Sequence, residues 1–279
     1  MIDYLAIGHV TDDLWPEGNT PGGTVTYSSR AARAFVPHVK VLTAADVAFD
    51  TQAAFPAISV CRVDAPATTR FRNIYTPEGR VQVVSPCPVT LQPDDLTAEM
   101  RNSRIVHLAP VCNEVSAAIA GAVEPDTFVG ITPQGWMRRW NGDGHVESRA
   151  DNWVEAAAVL PRANAVVISI DDVAGDWSVA RRWAARTPLL VVTQGPLGCT
   201  AFRGGAPLHV PAPKVQEVEP TGAGDIFAAV LFIALQRGAD LRDACEHANC
   251  IAAQSVTRVR MAGIPTERDI MLCRDGSLQ

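Results

Sequence analysis

The chain has 279 residues, room for one large or two small domains, and its 47 % apolar content and mean hydropathy of +0.07 are globular values. Net charge is −6 and only Lys40 and Lys214 of the 24 basic residues are lysines, the rest being scattered arginines, which argues against a nucleic-acid surface or a basic membrane helix. No apolar run approaches the roughly 20 residues of a bilayer span, and Met1-Ile-Asp-Tyr-Leu5 carries neither the basic nor the apolar part of a signal peptide, so a cytoplasmic protein is expected.

In chain order, Tyr4–Ile7, Val39–Leu42, Ile105–Leu108, Phe128–Ile131, Ala165–Ile170 and Leu189–Val192 are short apolar runs that read as buried parallel strands. Helical patterns lie between them at Thr24–Phe35, Ser116–Val123, Asn152–Leu160 and Val179–Arg186. This alternation predicts an α/β class, three-layer domain with a mostly parallel central sheet, whose ligands sit at the carboxyl ends of the strands. Residues 58–85 break the rhythm. Ile58–Val63, Thr68–Tyr75 and Arg80–Val84 alternate in β fashion around the turn Pro77-Glu-Gly79, predicting a small β lid on a single domain of residues 1–279. Cys199–Phe202 and Leu208–Val210 suit a hairpin around Gly204-Gly205. Two helices follow, the second near Leu241–Arg258, and Gly263-Ile-Pro265 stops it.

The run Glu219-Pro-Thr-Gly-Ala-Gly-Asp225 opens the first of those helices, which is apolar nearly all round and therefore buried. Its glycines permit a tight turn. The unpaired N–H groups and the dipole of the helix N-terminus form an anion site at Gly222, Ala223 and Gly224. Asp225, one turn in, stands where a carboxylate can take a proton from an attacking hydroxyl. Equally, such a residue can merely cap the helix. The seven cysteines show no C-x-x-C pair and read as reduced, buried thiols. The histidines are dispersed, and His107, inside an apolar strand, reads as a core residue. There is no G-x-x-x-x-G-K-[ST] loop, no G-x-G-x-x-G after the first strand and no G-x-S-x-G elbow, which excludes the common signatures of Walker ATPases, dinucleotide dehydrogenases and α/β-hydrolases.

Taken together, several segments resemble the ribokinase-like (PfkB) carbohydrate kinases, in the same order and over most of the chain. Thr221-Gly-Ala-Gly-Asp225 is similar to that family's C-terminal signature, and Pro21-Gly-Gly-Thr-Val-Thr-Tyr-Ser-Ser29 to its N-terminal di-glycine signature. Gly8-His-Val-Thr-Asp-Asp13 resembles the segment whose acid holds substrate hydroxyls, and Val192-Thr-Gln-Gly-Pro-Leu-Gly198 the nucleotide-side loop. The resemblance implies Asp225 as catalytic base, with Gly222, Ala223 and Gly224 as anion hole. It implies substrate contacts at Asp13, Gly22, Gly23 and Tyr27, with Gln134 and Arg138 added from the turn Thr132-Pro-Gln-Gly-Trp-Met-Arg138. Thr193, Gly195, Gly198 and Asn249 would face ATP, and the stretch from Ala252 to Pro265 would flank the adenine and, in many members, a monovalent cation.

The chain departs from the family pattern at four places. Glu219 stands for the usual Asp, and Tyr27 for an Asn. Ser169-Ile-Asp-Asp172 replaces the Asn-x-x-Glu motif that organises Mg2+, leaving Asp172 as a ligand acting through water. The stretch between Asp13 and Gly22 is short, which implies a trimmed lid. Inositol-kinase-like members share the short N-terminal segment and the Gln-containing turn. The expected activity is ATP- and Mg2+-dependent phosphorylation of a small polyol or sugar, an inositol first, by a monomer or homodimer. The alternatives are a nucleoside kinase of the same fold, or a ligand-binding regulatory protein that has lost transfer.

Overall fold

The computed structural model describes residues 1–76, 79–149 and 153–274. Its strands are β1 Tyr4–Ile7, β2 Thr11–Trp15, β3 Gly18–Gly22, β4 Val39–Asp46, β5 Ser59–Ala65, β6 Thr69–Thr76, β7 Gly79–Ser85 and β8 Ile105–Leu108. They continue as β9 Phe128–Ile131, β10 Arg138–Trp140, β11 Val146–Ser148, β12 Ala165–Ser169, β13 Leu190–Thr193, β14 Cys199–Phe202 and β15 Leu208–Val210. The helices are α1 Thr24–Arg33, α2 Thr51–Ala54, α3 Ala98–Arg101, α4 Ala156–Val159, α5 Trp177–Ala184, α6 Ala223–Gln236, α7 Leu241–Ser255 and α8 Glu267–Arg274.

Nine strands form the central sheet in the order β15-β14-β13-β12-β9-β8-β1-β4-β5, parallel from β13 to β5 and antiparallel at β14 and β15. Period-two alternation splits its side chains between two apolar layers. Tyr4, Ala6, Val167 and Val191 face one layer with α1, α6 and α7, while Leu5, Ile7, Ile168 and Val192 face the other with Trp136, Trp153 and Trp183. Gly130 of β9 lets α6 approach closely, because a Cβ there would overlap the ring of Phe232. The α/β, mostly parallel, three-layer reading therefore holds. His107 is fully buried, bonded through Nδ1 to the Tyr4 hydroxyl at 2.7 Å and through Nε2 to the Thr132 hydroxyl at 2.8 Å.

The sheet order reverses between β1 and β8: the chain passes from β1 to β4 and β5 on one side, and from β8 through β9 to β13 on the other. Loops leaving adjacent strands in opposite directions open a crevice at their carboxyl ends. Gly8, just past β1, sits so near the loop after β8 that a Cβ would strike the Ala109 carbonyl.

Three details correct the sequence reading. Ile58–Val63 is not part of a lid: β5 pairs in parallel with β4, from Lys40↔Ser59 to Asp46↔Ala65, as the edge of the central sheet. An edge strand with one side half exposed alternates as a lid strand does. The second sheet, in the order β3-β2-β6-β7, instead takes in the hairpin of β2 and β3, so residues 11–22 belong to it. The thiols are not all reduced, since Cys250 of α7 and Cys273 of α8 form a disulfide across 23 positions. The remaining five are free. Ser116–Val123 forms only a 3-10 turn at Ala117–Gly121. Pro77, Glu78 and Asn152 lie outside the described residues.

Candidate active site

Two glycine-led helices build the centre of the site. Gly23 (φ +83°) is the N-cap of α1 and Gly222 (φ +82°) the N-cap of α6, both in a region that favours glycine. The two helices share one apolar layer. Their N-termini therefore open together into a cavity of about 820 Å³ that also receives the carboxyl ends of the parallel strands. At α6 the Ala223 N–H donates to the Pro220 carbonyl (3.2 Å), while Gly222 and Gly224 line the cavity at the helix start, where N–H groups lack intrahelical acceptors. Partial positive charge collects there.

Asp225 lines this cavity one turn into α6. Burial pushes its carboxyl up to about 6, against a hydrogen bond from Thr24 and the nearby charge of Arg138, while Asp172 and Asp13 push it further up. A carboxylate poised near neutrality suits a general base better than one fixed at the ordinary value. Thr24 is the first residue of α1, and it lines the cavity beside Asp225, so the two helix starts meet there.

The acceptor end of the cavity is walled by the second sheet and the turn after β9. Asp13 of β2 is buried and accepts from the Thr11 hydroxyl at 2.7 Å. Gly22 of β3, paired with Thr11, is tied to that acid: a Cβ would overlap the Asp13 carboxylate. Arg138 is buried, donating to the Val111 carbonyl (3.1 Å) and to Gln82 Oε1 (3.2 Å), with its guanidinium 5.3 Å from the centre of the Phe71 ring. Gln82 in turn donates to Asn73 Oδ1 at 2.9 Å. Tyr27 of α1 fills the floor, its hydroxyl pushed well above the usual phenol range by burial and by the acids Asp13, Asp225 and Glu219.

At the far end, β13 delivers Thr193, and the turn Gly195–Leu197 with Gly198 (φ +92°) bends the chain away. Asn249 borders the same end, but its amide nitrogen donates to the carbonyls of Val210 (3.0 Å) and Pro211 (3.3 Å). It holds the segment after β15 in place. Pro213 and Val215 of that segment, with Ala252, Ala253 and Val256 of α7 and its C-cap, give the cavity an apolar lining.

The structure thus brings Asp225, Gly222, Ala223, Gly224, Asp13, Gly23, Tyr27, Gln134, Arg138, Thr193, Gly195, Gly198 and Asn249 to one cavity. Gly22 and Asp172 are not in its lining. Gly22 acts behind Asp13. The Asp172 carboxylate accepts from the Ser169 N–H (2.8 Å) and from Gln134 Nε2 (3.2 Å), and burial raises its pKa. Among the described residues no group of three or more His, Cys, Asp or Glu side chains is placed to hold a metal. Sequence reasoning missed Asn73, Gln82 and Phe71. Their signal was the alternation of β6 and β7, whose register Phe71↔Val84 and Asn73↔Gln82 puts all three on the cavity side.

Residues 163–267 match the family model of the pfkB family carbohydrate kinases. The chain is 33 % identical over 168 residues to the inositol 3-kinase of Zea mays, which covers 57 % of this chain and 42 % of that protein. A 28 % identity with the inositol 3-kinase of Oryza sativa subsp. japonica covers 95 % of this chain and 70 % of that one. The chain spans less than half the length of the first curated relatives it matches. Among solved structures, a pyrophosphate-dependent kinase in the ribokinase family has the same fold, at a TM-score of 0.78 and 17 % identity over 93 % of this chain and 98 % of that one. No helix among the described residues is long and apolar enough to cross a membrane. The segment that matches the pfkB family model carries Thr193, Gly222, Asp225 and Asn249, and it lies on a ribokinase-like fold.

Proposed function

We propose that this protein transfers the γ-phosphoryl group of ATP to a hydroxyl of a small polyol, an inositol first among them. The observation that carries the reading is the placement of Asp225: a carboxyl raised to about 6, beside the open amides of Gly222 and Gly224, across one cavity from Asp13 and Arg138. In this reading Asp13 accepts acceptor hydroxyls, while Asn73, Gln82, Gln134 and Arg138 supply further polar contacts. Asp225 takes the proton of the attacking hydroxyl, and the Gly222 and Gly224 amides meet the charge on the transferring group. Positioning and preorganised electrostatics provide the acceleration. Magnesium, when bound with the donor, neutralises phosphate charge, and no residue step depends on it here.

The apolar lining from Pro213, Val215, Ala252, Ala253 and Val256 supports a donor that carries a flat base, which favours ATP over pyrophosphate. The run of polar side chains at the acceptor end supports a polyhydroxylated acceptor over a nucleoside. The likeness to the inositol 3-kinases of maize and rice points the same way. The commitment of Asp172 to Ser169 and Gln134 favours a second reading, a ligand-binding protein without transfer. Magnesium-dependent ADP release measured across polyols, sugars and nucleosides separates them. Release with myo-inositol or a related polyol is expected; binding of such a ligand with no ADP release favours the second reading.

A further inference from the structure

Glu114 takes no part in the transfer chemistry, yet its side chain is buried to 2 % exposure in the loop after β8. A buried carboxylate is costly unless its oxygens are saturated by donors. Four backbone contacts do this. Oε1 accepts from the N–H of His9 (3.0 Å) and of Val111 (2.9 Å), and Oε2 accepts from Val111 (3.1 Å) and Cys112 (2.7 Å).

The donors come from two separate places. His9 lies in the crossing from β1 of the central sheet to β2 of the second sheet, two residues before Thr11 and four before Asp13. Val111 and Cys112 follow β8, and the Val111 carbonyl takes the Arg138 guanidinium. The His9 ring reaches on to Thr69 of β6 through Nδ1 (3.0 Å), and the Thr69 hydroxyl also accepts the N–H of Cys87 (3.0 Å). Thr69 pairs with Thr11 in the ladder between β6 and β2. Glu114 therefore stands where both chain segments leave the central sheet. One of them carries Asp13, and the other holds Arg138.

We propose that Glu114 is a positioning residue for the acceptor. Its carboxylate clamps the β1–β2 crossing to the loop after β8, and so sets where Asp13 and Arg138 stand relative to each other. The hydrogen bonds of this clamp run to the β1–β2 crossing, to β6 and to the loop after β8, whereas the donor end is built from β13, α6 and α7. The role rests on the kinase reading above and refines its acceptor end.

An amide at this position cannot do the same work. Glu114→Gln keeps the size but turns one oxygen into a donor, which must then face the N–H of either Cys112 or His9. The test is steady-state kinetics of wild type, Glu114→Gln and Glu114→Ala with Mg-ATP and whichever polyol wild type phosphorylates best, starting with myo-inositol. Losing one or more charge-assisted hydrogen bonds should raise acceptor KM by about 10- to 100-fold. The ATP KM should stay within about twofold, as expected when the donor site is untouched. A general loosening of the fold would instead move both KM values together, and that outcome overturns the proposal, as does an unchanged acceptor KM. Should the Glu114 variants fail to fold, Thr69→Val removes the hydroxyl beyond His9. It should raise acceptor KM by about three- to tenfold with ATP KM unchanged, and no acceptor effect there also overturns it. A wild type that phosphorylates nothing overturns the kinase reading itself, and the positioning role with it; an active wild type with unaltered variants overturns the positioning role alone.

Discussion

Gly222, which opens α6, lies flush against the ring of Tyr27 on α1, so that a Cβ at Gly222 would overlap the ring. The left-handed turn that exposes the α6 amides and the aromatic floor of the acceptor site are thus one packed unit. Gly222→Ala meets two penalties, about 1–3 kcal/mol for a side chain in the left-handed region and the clash with Tyr27. We expect a lower melting temperature and at least about a tenfold loss of transfer rate, read by thermal melts and by ADP release. A wild-type rate in this variant would mean that the turn geometry does not matter.

The acid–base behaviour of Asp225 sets the pH profile. With its carboxyl pushed up to about 6 by burial, kcat/KM should rise with pH through about 6 and level off above it, because the base must be ionised in the free enzyme.

The same shift acts on stability with a definite sign. The folded state holds this proton more tightly than the unfolded chain does. The stabilisation from protonation is therefore complete below the ordinary value of 3.8 and is lost as pH rises through about 6. Asp225→Asn removes the ionising group, so its melting temperature should exceed that of wild type at pH 8, with the gap closing near pH 4. Melts of both proteins across that range check the sign, and a variant less stable than wild type at pH 8 would contradict it.

Gly22 of β3 pairs with Thr11 of β2, and its α-carbon lies against the Asp13 carboxylate two residues along. Because a Cβ at Gly22 would collide with the Asp13 carboxylate, Gly22→Ala should displace the acid and raise acceptor KM by about tenfold or more, with ATP KM unchanged. Initial rates at varied acceptor and at varied ATP separate the two.

Arg260 joins the same hairpin to the anion-site loop. Its guanidinium lies 3.9 Å from the centre of the Trp15 ring, with Nη2 3.3 Å from Glu17 Oε2 and Nε 3.8 Å from Glu219 Oε2. A cation–π contact of about 0.5–2 kcal/mol predicts a rise of about two- to thirtyfold in acceptor KM for Arg260→Ala, together with faster proteolysis between Trp15 and Gly18.

Much of this architecture is written locally. The continuous apolar runs of β1, β8, β12 and β13 could only be buried parallel strands, and the glycines at 22–23 and 222–224 marked both helix starts. Where the pattern was ambiguous, local reading failed. β5 alternates because it is an edge strand, and so passed for part of the lid. Residues whose role depends on distant partners left no mark: Glu114 bonds to a backbone 105 positions away, and Arg260 meets a hairpin 243 positions away. The Cys250–Cys273 disulfide, equally, follows from how α8 folds back on α7 and not from any spacing motif.

The most direct measurement is the turnover of Asp225→Asn with Mg-ATP and a polyol acceptor, alongside ATP affinity by calorimetry. Loss of a positioned base should lower kcat by about 10²–10⁴-fold while ATP affinity stays near that of wild type. Turnover close to wild type in this variant would contradict Asp225 as the base.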